Sequence, residues 1–273
     1  MVAQSLRRSP SLPDGFGWLR AGAWHVAVRE DFREAVESAG LSRPESVAES
    51  GDRRFKGRGR PSLLTLDDGT QAVLRRYLHG GLLGSITGSL FLRSSRPLKE
   101  LLATEAARSR GVRVPEILAA LHRPIFPGLH QGYLLTRLIP DSRDLSALLA
   151  EGREGDRWLE AAGVETRRMH EAGVWHADLH VKNVLVSDGE VTLLDFDRAR
   201  VLLRVTDRDR RLNLFRFDRS VVKLSLLGVV VPRESRLRFF SGYLDKTDDP
   251  ERLLLRGERS QLWHRLAWRL GIR

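Results

Sequence analysis

The stretch that most limits what this chain can become runs from His176 to Asp197, "HADLHVKNVLVSDGEVTLLDFD". Asp188-Gly189 is a turn dipeptide between two apolar runs, so "NVLVSDGEVTLLDFD" predicts a hairpin. Asp195 ends its second strand, behind Leu193 and Leu194 and before Phe196. An ionised carboxylate in such company is costly unless something pairs with it. A metal ion is the obvious partner.

The rest of the chain is compatible with one two-lobed domain. Its 273 residues suffice for a substantial core, and 41% hydrophobic with 30% charged residues fits a soluble globular protein. It has no cysteine, which excludes disulfides and thiolate metal sites. No apolar run approaches the roughly 20 residues of a membrane span, and "MVAQSLRRSPSLPDGF" lacks the apolar block of a secretory signal. A cytoplasmic protein is expected. The net charge of +11, carried mostly by arginine, favours anionic partners.

Residues 1–50 read as an N-terminal extension packed on or near the first lobe, loosely structured to residue 25 and with one helix around Glu30–Ser38. Residues 51–139 read as a β-rich nucleotide-binding lobe. "RFKGRGRPSLLTLDDGTQAVLRRYL" predicts three antiparallel strands, with turns at Gly57–Gly59 and Asp68-Gly69. Pro97 opens a helix that Gly111 closes. "VRVPEILAAL" and "QGYLLTRLI" complete a five-stranded sheet. Residues 140–273 read as a helical lobe for catalysis and acceptor binding, entered through a hinge near 137–144. There Ser142 is the expected cap of a helix in "SRDLSALLAE", and helices fill most of 209–270.

His176, Asp178 and Asn183 fit His-x-Asp-x-x-x-x-Asn, and with Asp195 they resemble the catalytic loop and metal-binding turn of the protein-kinase-like fold. The fold class expected is therefore α+β and bilobal, a small antiparallel sheet lobe with one helix plus a larger α-helical lobe. In phosphoryl transfer Asp178 accepts the proton of the attacking hydroxyl, while Asn183 and Asp195 hold Mg²⁺ against the phosphates of ATP. His176 is expected to brace the backbone beside Asp195. His180 and Lys182 both stand where one could touch the γ-phosphate, and the sequence does not choose. In the first lobe, Gly57, Arg58 and Gly59 would let backbone amides approach phosphates. Arg75 stands in the slot of the kinase lysine, with Glu100 as its expected partner and Glu105 as the alternative. Backbone groups of Arg137, Leu138 and Ile139 would meet adenine, and Asp144 the ribose.

No Ala-Pro-Glu follows Asp195, and the turn reads Asp-Phe-Asp, which argues against a protein kinase. "GRGR" at 57–60, "VLRRYLHGGLLG" at 73–84, "GVRVPEILAA" at 111–120 and "LLTRLIPDSRDLSALL" at 134–149 form a pattern with three later stretches. These are "MHEAGVWHADLHVKNVLV" at 169–186, "LLDFDRAR" at 193–200 and "NLFRFDRSVVKL" at 213–224, with Glu100 spaced from Val114-Pro115. The pattern resembles the bacterial lipopolysaccharide kinase family, and within it the 3-deoxy-D-manno-octulosonic acid (Kdo) kinases. The resemblance covers roughly 50–225 and implies ATP-dependent phosphorylation of a sugar hydroxyl on the lipopolysaccharide inner core, with Asp178 as base. It implies an anionic glycolipid acceptor, and a monomer peripheral to the cytoplasmic face of the inner membrane is expected. "RRYLHGG" and the stripe Leu262, Trp263, Leu266, Ala267 and Leu270 are candidate membrane contacts, although packing on the second lobe also explains the stripe. The alternatives are an aminoglycoside- or choline-type phosphotransferase, which the basic balance disfavours, and an inactive kinase-like binding protein, suggested by Arg75. Nucleic-acid binding would rest on charge alone and is not expected.

Overall fold

The computed structural model describes residues 11–51, 61–77, 91–92, 96–126, 129–152, 155–245 and 248–269. The chain divides into two units, Met1–Leu102 with Glu116–Leu138, and Ala103–Pro115 with Ile139–Arg273.

The first unit is built on an antiparallel sheet that begins earlier in the chain than expected. Strands β1 (Phe16–Ala21) and β2 (Trp24–Arg29) pair through a two-residue turn, Ala21 opposite Trp24, which Gly22 permits at φ +61°. The reading of residues 1–25 as loosely structured is thus corrected for this hairpin. "WHVAVR" was missed because a strand covered on both faces does not alternate cleanly: Trp24, Val26 and Val28 enter one apolar cluster and Ala27 another. Two helices follow, α1 (Arg33–Ser38) and α2 (Pro44–Ser50), where one was expected. Pro44 at the first turn supplies a fixed φ and lacks only a donor that the helix would leave unpaired.

Next come β3 (Ser62–Thr65), β4 (Gln71–Arg76), β5 (Phe91–Leu92), helix α3 (Arg96–Arg108), β6 (Ile117–Phe126) and β7 (Leu129–Arg137). The β3–β4 hairpin turns at Gly69, φ +81°, as the Asp-Gly dipeptide predicts. Among the described residues the sheet has seven strands in the order β1-β2-β6-β7-β4-β3, with β5 on β7. The expected five-stranded sheet lacked β1 and β2. The expected strand before Pro61 lies outside the described residues. Helices α1 and α2 cover one face through Ala35, Val36 and Val47, and α3 covers the other through Leu98 and Leu101. Each large aliphatic side chain so buried contributes about 1.5–3 kcal/mol.

The second unit contains β8 (Arg143–Asp144), α4 (Leu145–Ala150), α5 (Gly155–Glu171), β9 (Val174–Trp175), β10 (Val184–Ser187), β11 (Glu190–Leu193) and β12 (Arg200–Val201). Helices α6 (Asp207–Val222), α7 (Arg233–Tyr243) and α8 (Pro250–Arg269) follow. Asp144, not Ser142, caps α4. Its Oδ1 accepts from the Ala147 N–H at 3.0 Å, because the chain pairs as β8 before the helix starts. Trp158, Met169, Leu179, Phe217, Phe239 and Phe240 form the core. Helices α5 and α7 approach at two glycines. A Cβ on Gly163 would stand 2.1 Å from the Phe239 oxygen, and one on Gly242 would stand 2.1 Å from the Glu160 oxygen. No helix among the described residues is long and apolar enough to cross a membrane.

Candidate active site

Four hydrogen bonds close a circuit through His176, Asp178, Asn183 and Leu194. The fully buried His176 ring accepts the Asp178 N–H at Nδ1 (3.0 Å), and its Nε2 lies 2.9 Å from the Leu194 carbonyl. An acceptor at one ring nitrogen requires the proton on the other, so the ring is the neutral Nε2–H tautomer. Burial, which pushes the His176 pKa down, enforces the same state. The Leu194 N–H donates to the Asn183 carbonyl at 2.9 Å, and Asn183 Nδ2 donates to the Asp178 carbonyl at 3.0 Å. The β10–β11 hairpin, Val184 opposite Leu193, therefore extends by one step and brings Asn183 beside the residue preceding Asp195. At about 1 kcal/mol per bond, the circuit holds the loop of His176–Asn183 to the turn at Asp195. Asp195 takes a left-handed φ of +64°, as does Arg198 at +63°. For residues other than glycine this is a strained conformation that surrounding structure must impose.

The Asp178 carboxylate is half-exposed beside His180 and Arg216. His180 Nε2 lies 3.5 Å from Oδ2 and Arg216 Nη1 lies 3.3 Å from Oδ1. His180 foremost, with Arg216, lowers the Asp178 pKa to about 2. Helix α6 supports the loop from one face. The Asn213 side chain accepts the His176 N–H at 3.2 Å and donates to its carbonyl at 2.6 Å, while Ser220 Oγ accepts the Val181 N–H at 3.0 Å. Asn213 also lies 3.0 Å from His170 Nε2 inside the core. Asn213, Arg216 and Ser220 were given no individual role from sequence. Their i, i+3, i+7 spacing on one helix face was the available signal.

In the first unit, Arg75 Nη2 lies 2.5 Å from Glu100 Oε1, and Glu100 is buried. Tyr77 Oη donates to the other Glu100 oxygen. Glu105 sits 3.8 Å from Arg108, and Glu100 is the partner of Arg75. The N–H groups of Arg137 and Leu138 are engaged inside the sheet, donating to Glu116 and Gln71 carbonyls at 2.9 Å. Among the described residues the Ile139 N–H has no such backbone partner. Gly57, Arg58 and Gly59 lie outside the described residues, as do most of "RRYLHGG" and the side chains of the C-terminal stripe.

Residues 45–243 match the model of the lipopolysaccharide kinase (Kdo/WaaP) family. The chain belongs to this family. It is 35% identical over 173 residues to a 3-deoxy-D-manno-octulosonic acid kinase of Vibrio cholerae serotype O1, covering 61% of this chain and 72% of that one. It is 33% identical over 217 residues to a protein of the same description from Xanthomonas axonopodis pv. citri, covering 75% of this chain and 84% of that one. A solved structure of WaaP in complex with acyl carrier protein shares the protein-kinase-like fold. The TM-score is 0.55 at 18% identity, over 86% of this chain and 97% of that one. The chain is thus a phosphotransferase of the lipopolysaccharide kinase family.

The kinase's oxygen donors fit magnesium. Asn183 engages its amide nitrogen with Asp178, which turns Oδ1 the other way, and Asp195 adds a carboxylate. Among the described residues no three metal-ligating acidic or histidine side chains gather. Magnesium does not need such a cage, since it commonly takes one or two protein oxygens and fills its sphere with water and phosphate.

Proposed function

We propose that the kinase transfers the γ-phosphoryl group of ATP to a hydroxyl of a Kdo residue, or of another inner-core sugar, on a lipopolysaccharide precursor. The observation that carries this reading is the Asp178 carboxylate, locked at its backbone by the His176–Leu194–Asn183 circuit and kept ionised by His180 and Arg216. The sugar oxygen forms a bond to the γ-phosphorus, the bond from that phosphorus to the bridging oxygen of ADP breaks, and the hydroxyl proton passes to Asp178. A carboxylate with a pKa near 2 is a weak base. Asp178 therefore first orients the hydroxyl and takes its proton late, which suits a loose transition state. Bound through Asn183 and Asp195, Mg²⁺ would supply charge neutralisation for the phosphates. Arg75, fixed by Glu100, would meet the α- and β-phosphates. Ile139 would contact adenine and Asp144 the ribose. His180 is occupied with Asp178, which leaves exposed Lys182 as the cation for the γ-phosphate.

The inactive-binding-protein alternative rested on Arg75. An arginine already ion-paired to a helix glutamate reproduces the pairing that active kinases require of their lysine. Work on the cytoplasmic face of the inner membrane is supported by the net charge of +11 and by exposed Leu226, Leu227 and Val230 just past Lys223. The test supplies Mg-ATP and a Kdo-containing lipid A precursor in anionic vesicles, and reads acceptor mass and cosedimentation together. A gain of one phosphate on the glycolipid and salt-sensitive cosedimentation are expected. Phosphorylation of a plain aminoglycoside with none of the glycolipid would overturn the acceptor, and protein left in the supernatant at low salt would overturn the membrane contact.

A further inference from the structure

Beside Asp178 the second unit has a cavity of about 320 Å³ whose charged lining is unbalanced. Lys182, Arg216, Arg219 and Lys223 line it with His180, against the single carboxylate of Asp178. Residues 216, 219 and 223 follow an i, i+3, i+7 spacing through α6 into the turn after it, so one helix face delivers all three. Arg216 has Asp178 as its counterion. Arg219 is partly buried one turn away, and among the described residues no carboxylate lies within 4.0 Å of it. Burial first, and the neighbouring Arg216 second, push the Arg219 pKa down. The α6 C-terminus offers a partial negative charge that favours cations in the last turn. That accounts for basic residues in the turn but not for their convergence on the cavity that holds Asp178. A half-buried guanidinium beside another is costly unless an anion joins them.

We propose that Arg219, with Arg216 and Lys223, forms the subsite that holds an oxyanion of the acceptor and so decides which hydroxyl reaches Asp178. This rests on the reading of Asp178 as the proton acceptor. The recognised group is a carboxylate or phosphate monoester on the sugar, held by charge-assisted bonds from guanidinium and ammonium donors. Arg216 then bridges the subsite and the base, so acceptor binding draws it partly off Asp178. Exposed Leu227 closes the cavity's rim, where the lipid portion of a glycolipid would continue.

The test compares wild type, Arg219→Gln, Lys223→Gln and Arg219→Lys. Three acceptors are used: the Kdo-containing lipid A precursor, its methyl ester at the sugar carboxylate, and its dephosphorylated form. Loss of a charge-assisted contact predicts at least a ~10-fold rise in acceptor KM for both Gln variants, with the KM for ATP unchanged and Arg219→Lys partly restored. The modified acceptor that costs wild type the same factor, and costs Arg219→Gln nothing further, identifies the oxyanion. Acceptor KM within twofold of wild type in both Gln variants overturns the proposal, as does a rise in the KM for ATP alone. Binding of the precursor without nucleotide, by calorimetry, separates this from the proposed reaction. Wild-type binding that Arg219→Gln loses supports the subsite even if no phosphate is transferred. Equal binding by both, or binding by neither, overturns it.

Discussion

Asp178 shows how much of a site depends on neighbours that are distant in sequence. Its spacing from His176 and Asn183 was readable from one loop, but its electrostatics come from Arg216, 38 positions away. His176 was expected as a brace, and its buried ring spans Asp178 and Leu194. Replacing Asp178 with Asn preserves shape and removes the proton acceptor. The expected result is a ~100-fold or greater loss of kcat with the KM for ATP within a few-fold, read by steady-state assay of ADP release with the glycolipid. A variant turning over near the wild-type rate would remove Asp178 from the reaction. Asn213 was harder to find. Its contacts to the His176 backbone span 37 positions, and an asparagine inside "RRLNLF" carries no local sign of a partner.

At the scale of elements, the hairpins announced themselves and the helix pairings did not. Asp68-Gly69 and Asp188-Gly189 need φ > 0 at their glycines, and both glycines have it, at +81° and +80°. Gly22 does the same for β1–β2, but without an Asx partner the turn passed unread. Gly163 lies mid-helix, where glycine costs about 1 kcal/mol against alanine. Only the packed structure explains it, since Phe239 of α7 occupies the space a Cβ would need. Gly163→Ala therefore gains helix propensity but must separate α5 from α7, for a net loss of about 1–3 kcal/mol. Urea denaturation reads this directly, and a variant more stable than wild type would show that the two helices are not held by this contact.

At the scale of the whole molecule, buried histidines make stability depend on pH. Burial lowers the pKa of His170 to about 4 and that of His122 to about 4, and pushes His176 down as well. Unfolded histidines titrate near 6.5. Between about pH 6.5 and 4 the unfolded chain therefore binds protons that the folded chain refuses. Stability is full above that window and falls as pH drops through it, on the order of 2 kcal/mol at pH 5 from His170 alone. Asp178, lowered to about 2, adds a loss of its own only below about pH 5, where the unfolded carboxyl begins to bind the proton that the folded one refuses. Denaturation midpoints at pH 7.5 and pH 5 test this, and equal midpoints would contradict the burial of these rings.

The sequence by itself determined the family, the hairpin carrying Asp195 and the loop carrying Asp178, because short-range spacing and turn dipeptides encode them within one or two turns of chain. It also narrowed the partner of Arg75 to two glutamates. Tertiary structure alone decided between Glu100 and Glu105, added β1 and β2 to the sheet, and placed Arg216, Arg219 and Lys223 around Asp178. Those outcomes depend on which helix face packs inward and which strands become neighbours, and burial over long chain separations settles both.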